Sequence, residues 1–199
     1  MYRALRNMLY VTQIAVFILL VALFAVSIRV YRSYDVSNKD SIMNRGDTGL
    51  MLYDRSGTLF FAFNRARPRI FIPLSETPLL TQKAIVAAED KNFFSHYGFS
   101  PSGIIRSLYL NIQGKSVLYG GSTITQQLVK NSLLTPSKSI SRKFQEIIIA
   151  VKIERHFSKK EILEMYVNSA YFGEGVFGIE AAAQTYFNKG AKELTLSES

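Results

Sequence analysis

Residues 139–156 read SISRKFQEIIIAVKIERH, a serine suited to cap a helix followed by a run with the length of a long one. Its centre, residues 147–151, is apolar on every side of a helical projection, which predicts burial inside a domain. Arg142 and Glu146 stand four apart and share a helix face. One reading of that pair is a surface ion pair, worth roughly a few tenths of a kcal/mol. The other is a glutamate on the buried side, because the apolar run starts at Ile147; with Arg142 and Lys143 beside it, such a glutamate is suited to hold a metal ion or grip a diphosphate.

Working outward, Ser158 and Glu161 form a capping-box pattern that opens a helix with Ile162, Leu163, Tyr166 and Val167 on one face. A final helix is expected over residues 178–187, and the last four residues look like the start of another, which reads as truncation. Upstream, GGSTITQQLVKN at residues 120–131 leads glycines into hydroxyl residues at a helix start. Such a start exposes backbone N–H groups and forms an anion-binding end, with Lys130 further in. It is not a P-loop, since the Gly-Lys-Ser/Thr ending is missing, and a capped helix with a polar face is the alternative.

Before it, residues 77–88 form an apolar helix that runs into EDKNFFSHYG at residues 89–98. A carboxylate there is either a solvated helix end or a partly desolvated group whose raised proton affinity makes it a usable base. His96, beside Phe94 and Tyr97, reads as a packing or hydrogen-bonding group. Ser100 and Pro101 cap and start a helix expected to reach Gln113. The glycine-flanked residues 113–120 read either as a mobile flap or as an ordinary packed loop. Everything after Pro73 is thus mainly α, preceded by a small β-hairpin whose strand-like runs, 50–53 and 58–63, flank a turn ending in Gly57.

The 199 residues carry a formal charge of +9, with 48% hydrophobic and 20% charged residues, a globular composition. From Asn7 to Ile28 no residue is charged, matching the roughly 20 apolar residues a transmembrane helix needs. A cleaved signal would have a shorter apolar stretch ending in small residues, whereas Ile28 here runs into Arg29. Residues 1–32 are therefore expected to be a short cytoplasmic tail and membrane helix, 33–48 a polar linker, and 49–199 the domain. An N-terminal span holds the positive charge beside lipid headgroups, which favours membrane lipid over nucleic acid as its partner. With no cysteine, disulfides and thiolate metal sites are excluded.

Four blocks taken in order carry a resemblance: Glu89 to Gly98, Gly120 to Gln127, Arg142 to Glu146, and the Lys-x-x-Ile-Leu-Glu-x-Tyr-x-Asn run from Lys159 to Asn168. They resemble the peptidoglycan glycosyltransferase domain of class A penicillin-binding proteins and monofunctional transglycosylases. Ser100 departs from the aspartate usual in that family, although both residues cap a helix. A fifth block, an Arg-Arg pair, would lie beyond the last residue, as would any transpeptidase domain.

The resemblance implies a mainly α, lysozyme-like fold with a small N-terminal β-hairpin and one transmembrane helix, placed outside the bacterial inner membrane. It implies polymerisation of lipid II into glycan strands with inversion, releasing undecaprenyl diphosphate. Glu89 and Glu146 would be catalytic, with Glu89 the base. Ser122, Thr123, Gln126, Gln127, Lys130, Arg142 and Lys143 would bind substrate and its diphosphate. Glu146 would hold a divalent cation, Mg or Mn, or orient the neighbouring cations. The growing strand and partners of a cell-wall synthesis complex are expected alongside lipid II. Rival readings are a lysozyme-like lytic hydrolase and a non-catalytic membrane scaffold.

Overall fold

The computed structural model describes residues 2–44, 51–56, 59–62, 70–105, 121–135, 137 and 139–198. The chain divides into two units, Met1–Asp35 and Val36–Ser199. The first is one helix, α1 (Tyr2–Ser33), with Phe17 and Phe24 among its exposed apolar side chains. Its stretch Arg6–Ser33 has 28 residues and is apolar enough to cross a membrane. At 1.5 Å per residue such a stretch is about 42 Å long, more than the hydrocarbon core requires.

The second unit begins with a difference from the sequence reading. Within residues 33–48, expected to be a linker, lies a short helix, α2 (Lys39–Asn44), packed on the domain. Ile42 and Met43 are buried, and Lys39 Nζ lies 3.0 Å from Glu161 and 3.7 Å from Glu164. Val36, just ahead of it, is buried as well, so three apolar side chains in a polar stretch accompany the docked turn. Two short strands follow, β1 (Met51–Tyr53) and β2 (Leu59–Ala62), paired antiparallel with an irregularity in register between Leu52 and Tyr53. The glycine expected to turn the chain, Gly57, lies outside the described residues.

The rest of the described residues are mainly helical. After a 3-10 turn at Leu74–Glu76 comes α3 (Leu79–Glu89), anchored where Gln82 Nε2 donates to the carbonyls of Leu74 and Thr77 at 2.9 and 2.8 Å. Residues 101–105 are helical, and the expected continuation to Gln113 lies outside the described residues. Then come α4 (Ile124–Ser132), α5 (Ile140–His156), α6 (Lys159–Ser169) and α7 (Ile179–Phe187). The chain reaches a last 3-10 turn at Leu196–Glu198. Thr123 and Ser158 build capping boxes at the starts of α4 and α6, and Ser139 caps α5, so local chemistry sets three helix starts.

α4 packs against both α5 and α6, and the core fills from Ile124, Leu128, Ile149, Ile153, Ile162 and Met165, all fully buried. The apolar centre of α5 is buried on one face only: Ile149 and Ala150 are inside, while Ile147, Ile148 and Val151 are half-buried. α6 is the hub. Lys159 Nζ meets Glu154 at 2.8 Å and lies over the Phe93 ring, and Glu164 accepts the N–H of Leu74 at 2.9 Å. Asn168 accepts the N–H of Ile72 and donates to its carbonyl, both at 2.9 Å, clamping the extended chain that enters α3. The polar residues of the fourth sequence block thus hold the frame on which the other three stand.

Candidate active site

Glu89 ends α3, and its side chain is exposed. Of the two readings of this carboxylate the solvated helix end is the one seen, because the buried stripe of α3 is Thr81 and Val86 and continues to Asp90. What Glu89 has instead is a donor: Gln127 Nε2 donates to Glu89 Oε2 at 2.7 Å. The other end of that amide, Oε1, accepts from the Tyr166 hydroxyl at 3.2 Å. Burial first, and the Glu89 charge second, push the Tyr166 phenol above its ordinary range, so it remains a protonated donor.

Asp90 points the other way. Its Oδ2 lies 2.8 Å from His96 Nε2 and accepts the backbone N–H of Ile124 at 3.1 Å. His96 Nδ1 accepts the N–H of Gly98 at 3.2 Å, which leaves Nε2 as the nitrogen that donates to Asp90. Thr123 Oγ1 donates to the carbonyl of Gly98 at 2.8 Å. Gly98 sits at φ +93, and a Cβ there would meet Ala150 of α5 at 2.8 Å, so only glycine permits this approach. The N-terminus of α4, which the sequence offered to a substrate anion, is therefore filled from within by the Asp90 carboxylate. His96 is one of the groups that fix that carboxylate.

Glu146 contrasts with Glu89. It is 1% exposed, with Lys143 Nζ 2.8 Å from Oε2 and Arg142 Nη1 3.0 Å from Oε1. The Arg142 Nη1 contact is within ion-pair distance but misaligned for a hydrogen bond, so Glu146 Oε1 is buried without a hydrogen-bond partner; Arg142 Nε is likewise buried without one among the described residues. Lys143 Nζ also donates to Ser122 Oγ at 2.6 Å. Of the two sequence readings the buried one holds, and two cations converge on one carboxylate.

The structure brings together Glu89 with Gln127, and Ser122 with Lys143, Arg142 and Glu146. The segment 122–127 touches both groups. Thr123 and Gln126 are buried, and their side chains serve the capping box, with Gln126 Oε1 accepting the Thr123 N–H at 3.0 Å. Lys130 is exposed on α4, and residues 113–120, including Gly120, lie outside the described residues. Sequence reasoning passed over Tyr166, which it placed on the core face of α6, and Asp90. Their signal was present: each stands in one of the four motif blocks, and Asp90 directly follows Glu89.

A divalent cation at Glu146 is not favoured by this arrangement. Both carboxylate oxygens already face a cation, and a metal would have to displace Lys143 or stand against two positive charges. Among the described residues no group of three His, Cys, Asp or Glu side chains is placed to hold one.

A family model described as Transglycosylase matches residues 56–199. Penicillin-binding protein 1A of Rickettsia prowazekii (strain Madrid E) is 46% identical over 153 residues, covering 74% of this chain and 19% of that protein. Penicillin-binding protein 1A of Rickettsia conorii is 39% identical over 201 residues, covering 98% of this chain and 25% of that protein. Penicillin-binding protein 1F of Bacillus subtilis is 47% identical over 127 residues, covering 64% of this chain and 18% of that protein. The chain spans about a fifth to a quarter of the length of these curated relatives.

Proposed function

This chain belongs to the transglycosylase family, and from that premise we propose that it is a peptidoglycan glycosyltransferase that polymerises lipid II in bacterial cell wall synthesis. The observation that carries the reading is the pair of carboxylates in opposite environments: Glu89 exposed with an amide donor, and Glu146 buried beneath two cations. Glu89 takes the proton of the 4-hydroxyl of the acceptor sugar as that oxygen bonds the anomeric carbon of the growing strand. The bond from that carbon to the diphosphate oxygen breaks on the opposite face, giving inversion, and undecaprenyl diphosphate leaves with the electron pair.

The leaving diphosphate gathers negative charge. Arg142, Lys143 and Lys130 neutralise it. Glu146 holds Arg142 and Lys143 in place; Ser122 and Gln127 position substrate oxygens, while Thr123 and Gln126 support them through the α4 cap. α1 would anchor the enzyme as a single span, with a lysozyme-like catalytic domain on the outer side of the inner membrane, beside its lipid substrate. Partners in a cell-wall synthesis complex would meet it there.

The test is the product. Full-length protein in detergent, given lipid II, is expected to build glycan polymer. Release of sugars from preformed glycan with no polymerisation of lipid II would establish the lytic hydrolase instead. Neither activity, from folded protein, would leave the scaffold.

A further inference from the structure

We infer that Tyr166 is a positioning residue for the Glu89 carboxylate: its hydroxyl locks the Gln127 amide so that Nε2 faces the glutamate throughout the catalytic cycle. The inference rests on the reading of Glu89 as the base. Gln127 is a single amide with both ends engaged, Nε2 to Glu89 Oε2 at 2.7 Å and Oε1 to the Tyr166 hydroxyl at 3.2 Å.

While Glu89 is ionised it only accepts, and it selects the Nε2 end without help. The difficulty comes one step later. Once Glu89 has taken the proton of the acceptor hydroxyl, its carboxyl is a donor, and a free amide would turn over to accept that proton through Oε1. That bond would stabilise the neutral acid and hold the proton where the next cycle needs a base. With Tyr166 donating to Oε1, the turn forfeits a hydrogen bond, and the phenol is 7% exposed on α6 with little water to replace it. Burial and the Glu89 charge keep the phenol protonated, hence a constant donor.

Among the described residues the carboxylate next to Glu89 does not perform this task. Asp90, the next residue, is turned inward to His96 and the N–H of Ile124. α4 presents Gln127 to Glu89, and α6 presents Tyr166 to Gln127. A packing role alone would account for the burial of Tyr166 but not for a hydroxyl placed on the amide that donates to Glu89.

The experiment titrates the Glu89 side-chain carboxyl carbon by NMR in the full chain in detergent, for the wild type and Tyr166→Phe, with thermal melting to verify folding. The carboxyl midpoint of Tyr166→Phe is expected to lie about half a pH unit or more higher, and the acidic limb of kcat/KM for lipid II polymerisation to move with it. In a Gln127→Leu background the same substitution should move neither. A midpoint that stays put, or one that moves equally without Gln127, overturns the inference. Should Tyr166→Phe fail to fold, 3-fluorotyrosine placed at 166 keeps the shape and strengthens the donor; the midpoint should then fall, and an unchanged midpoint is contrary. If the midpoints behave as stated but the wild type builds no polymer, the proposed function fails while the positioning role of Tyr166 stands.

Discussion

The two glutamates of this fold are built in opposite ways. Glu89 stands exposed at a helix end and meets one neutral amide; Glu146 is enclosed mid-helix and meets two cations. The first can exchange a proton with a hydroxyl at little structural cost. The second lies between two cations, and removing its charge leaves them facing each other. In the proposed mechanism burial therefore separates a group that reacts from a group that organises, although Glu89 meets Gln127 directly and Glu146 reaches Ser122 of the same segment through Lys143.

The largest effect should come from abolishing the reacting group. Glu89→Gln is expected to lower kcat for polymerisation by about 10²–10⁴-fold. Its melting temperature should stay close to wild type, because the side chain is exposed. Glu146→Gln should break the comparison from the other side. It leaves Arg142 and Lys143 without their counter-charge, for a loss of about 1–3 kcal/mol, below the full cost of a buried pair because Lys143 is partly exposed, with roughly a 10²-fold loss in rate. Denaturant unfolding and steady-state kinetics on one preparation separate the two effects.

A smaller effect, shared by both sites, is expected from their common support. Gly98→Ala drives a Cβ into the Ala150 backbone at a positive φ, and should cost about 2 kcal/mol while disturbing both carboxylates. The smallest should appear far from both. Ser158 N–H and hydroxyl, then Lys39, hold the Glu161 carboxyl down from 4.5 to about 2. A lowered folded-state value stabilises the protein above the unfolded value and loses that contribution as pH falls from 4.5 through 2. Glu161→Gln should therefore melt slightly lower than wild type at neutral pH, with the gap closing in that window, modestly because the group is solvent-screened. Neither carboxylate should respond.

Much of this was legible in the sequence because it is local. Ser139 and the Ser158–Glu161 box mark two helix starts, and the four ordered blocks point to a family and to Glu89 and Glu146. What was not legible depends on contacts between distant segments. The exposure of Glu89 follows from which stripe of α3 meets the core, and Asp90 fills the α4 terminus from 34 residues away. Tyr166 reads as core from its helical spacing, and only packing of α6 on α4 brings its hydroxyl to Gln127. Polar residues 33–48 read as linker because their buried apolar side chains are few, Val36, Ile42 and Met43.

The division of labour between the two glutamates is tested most directly by the pH–rate profile of lipid II polymerisation in folded Glu89→Gln and Glu146→Gln. If Glu89 is the base, the acidic limb of kcat/KM disappears from the residual activity of Glu89→Gln and survives, at a lower plateau, in Glu146→Gln. An acidic limb that persists without Glu89, or vanishes without Glu146, would contradict the account.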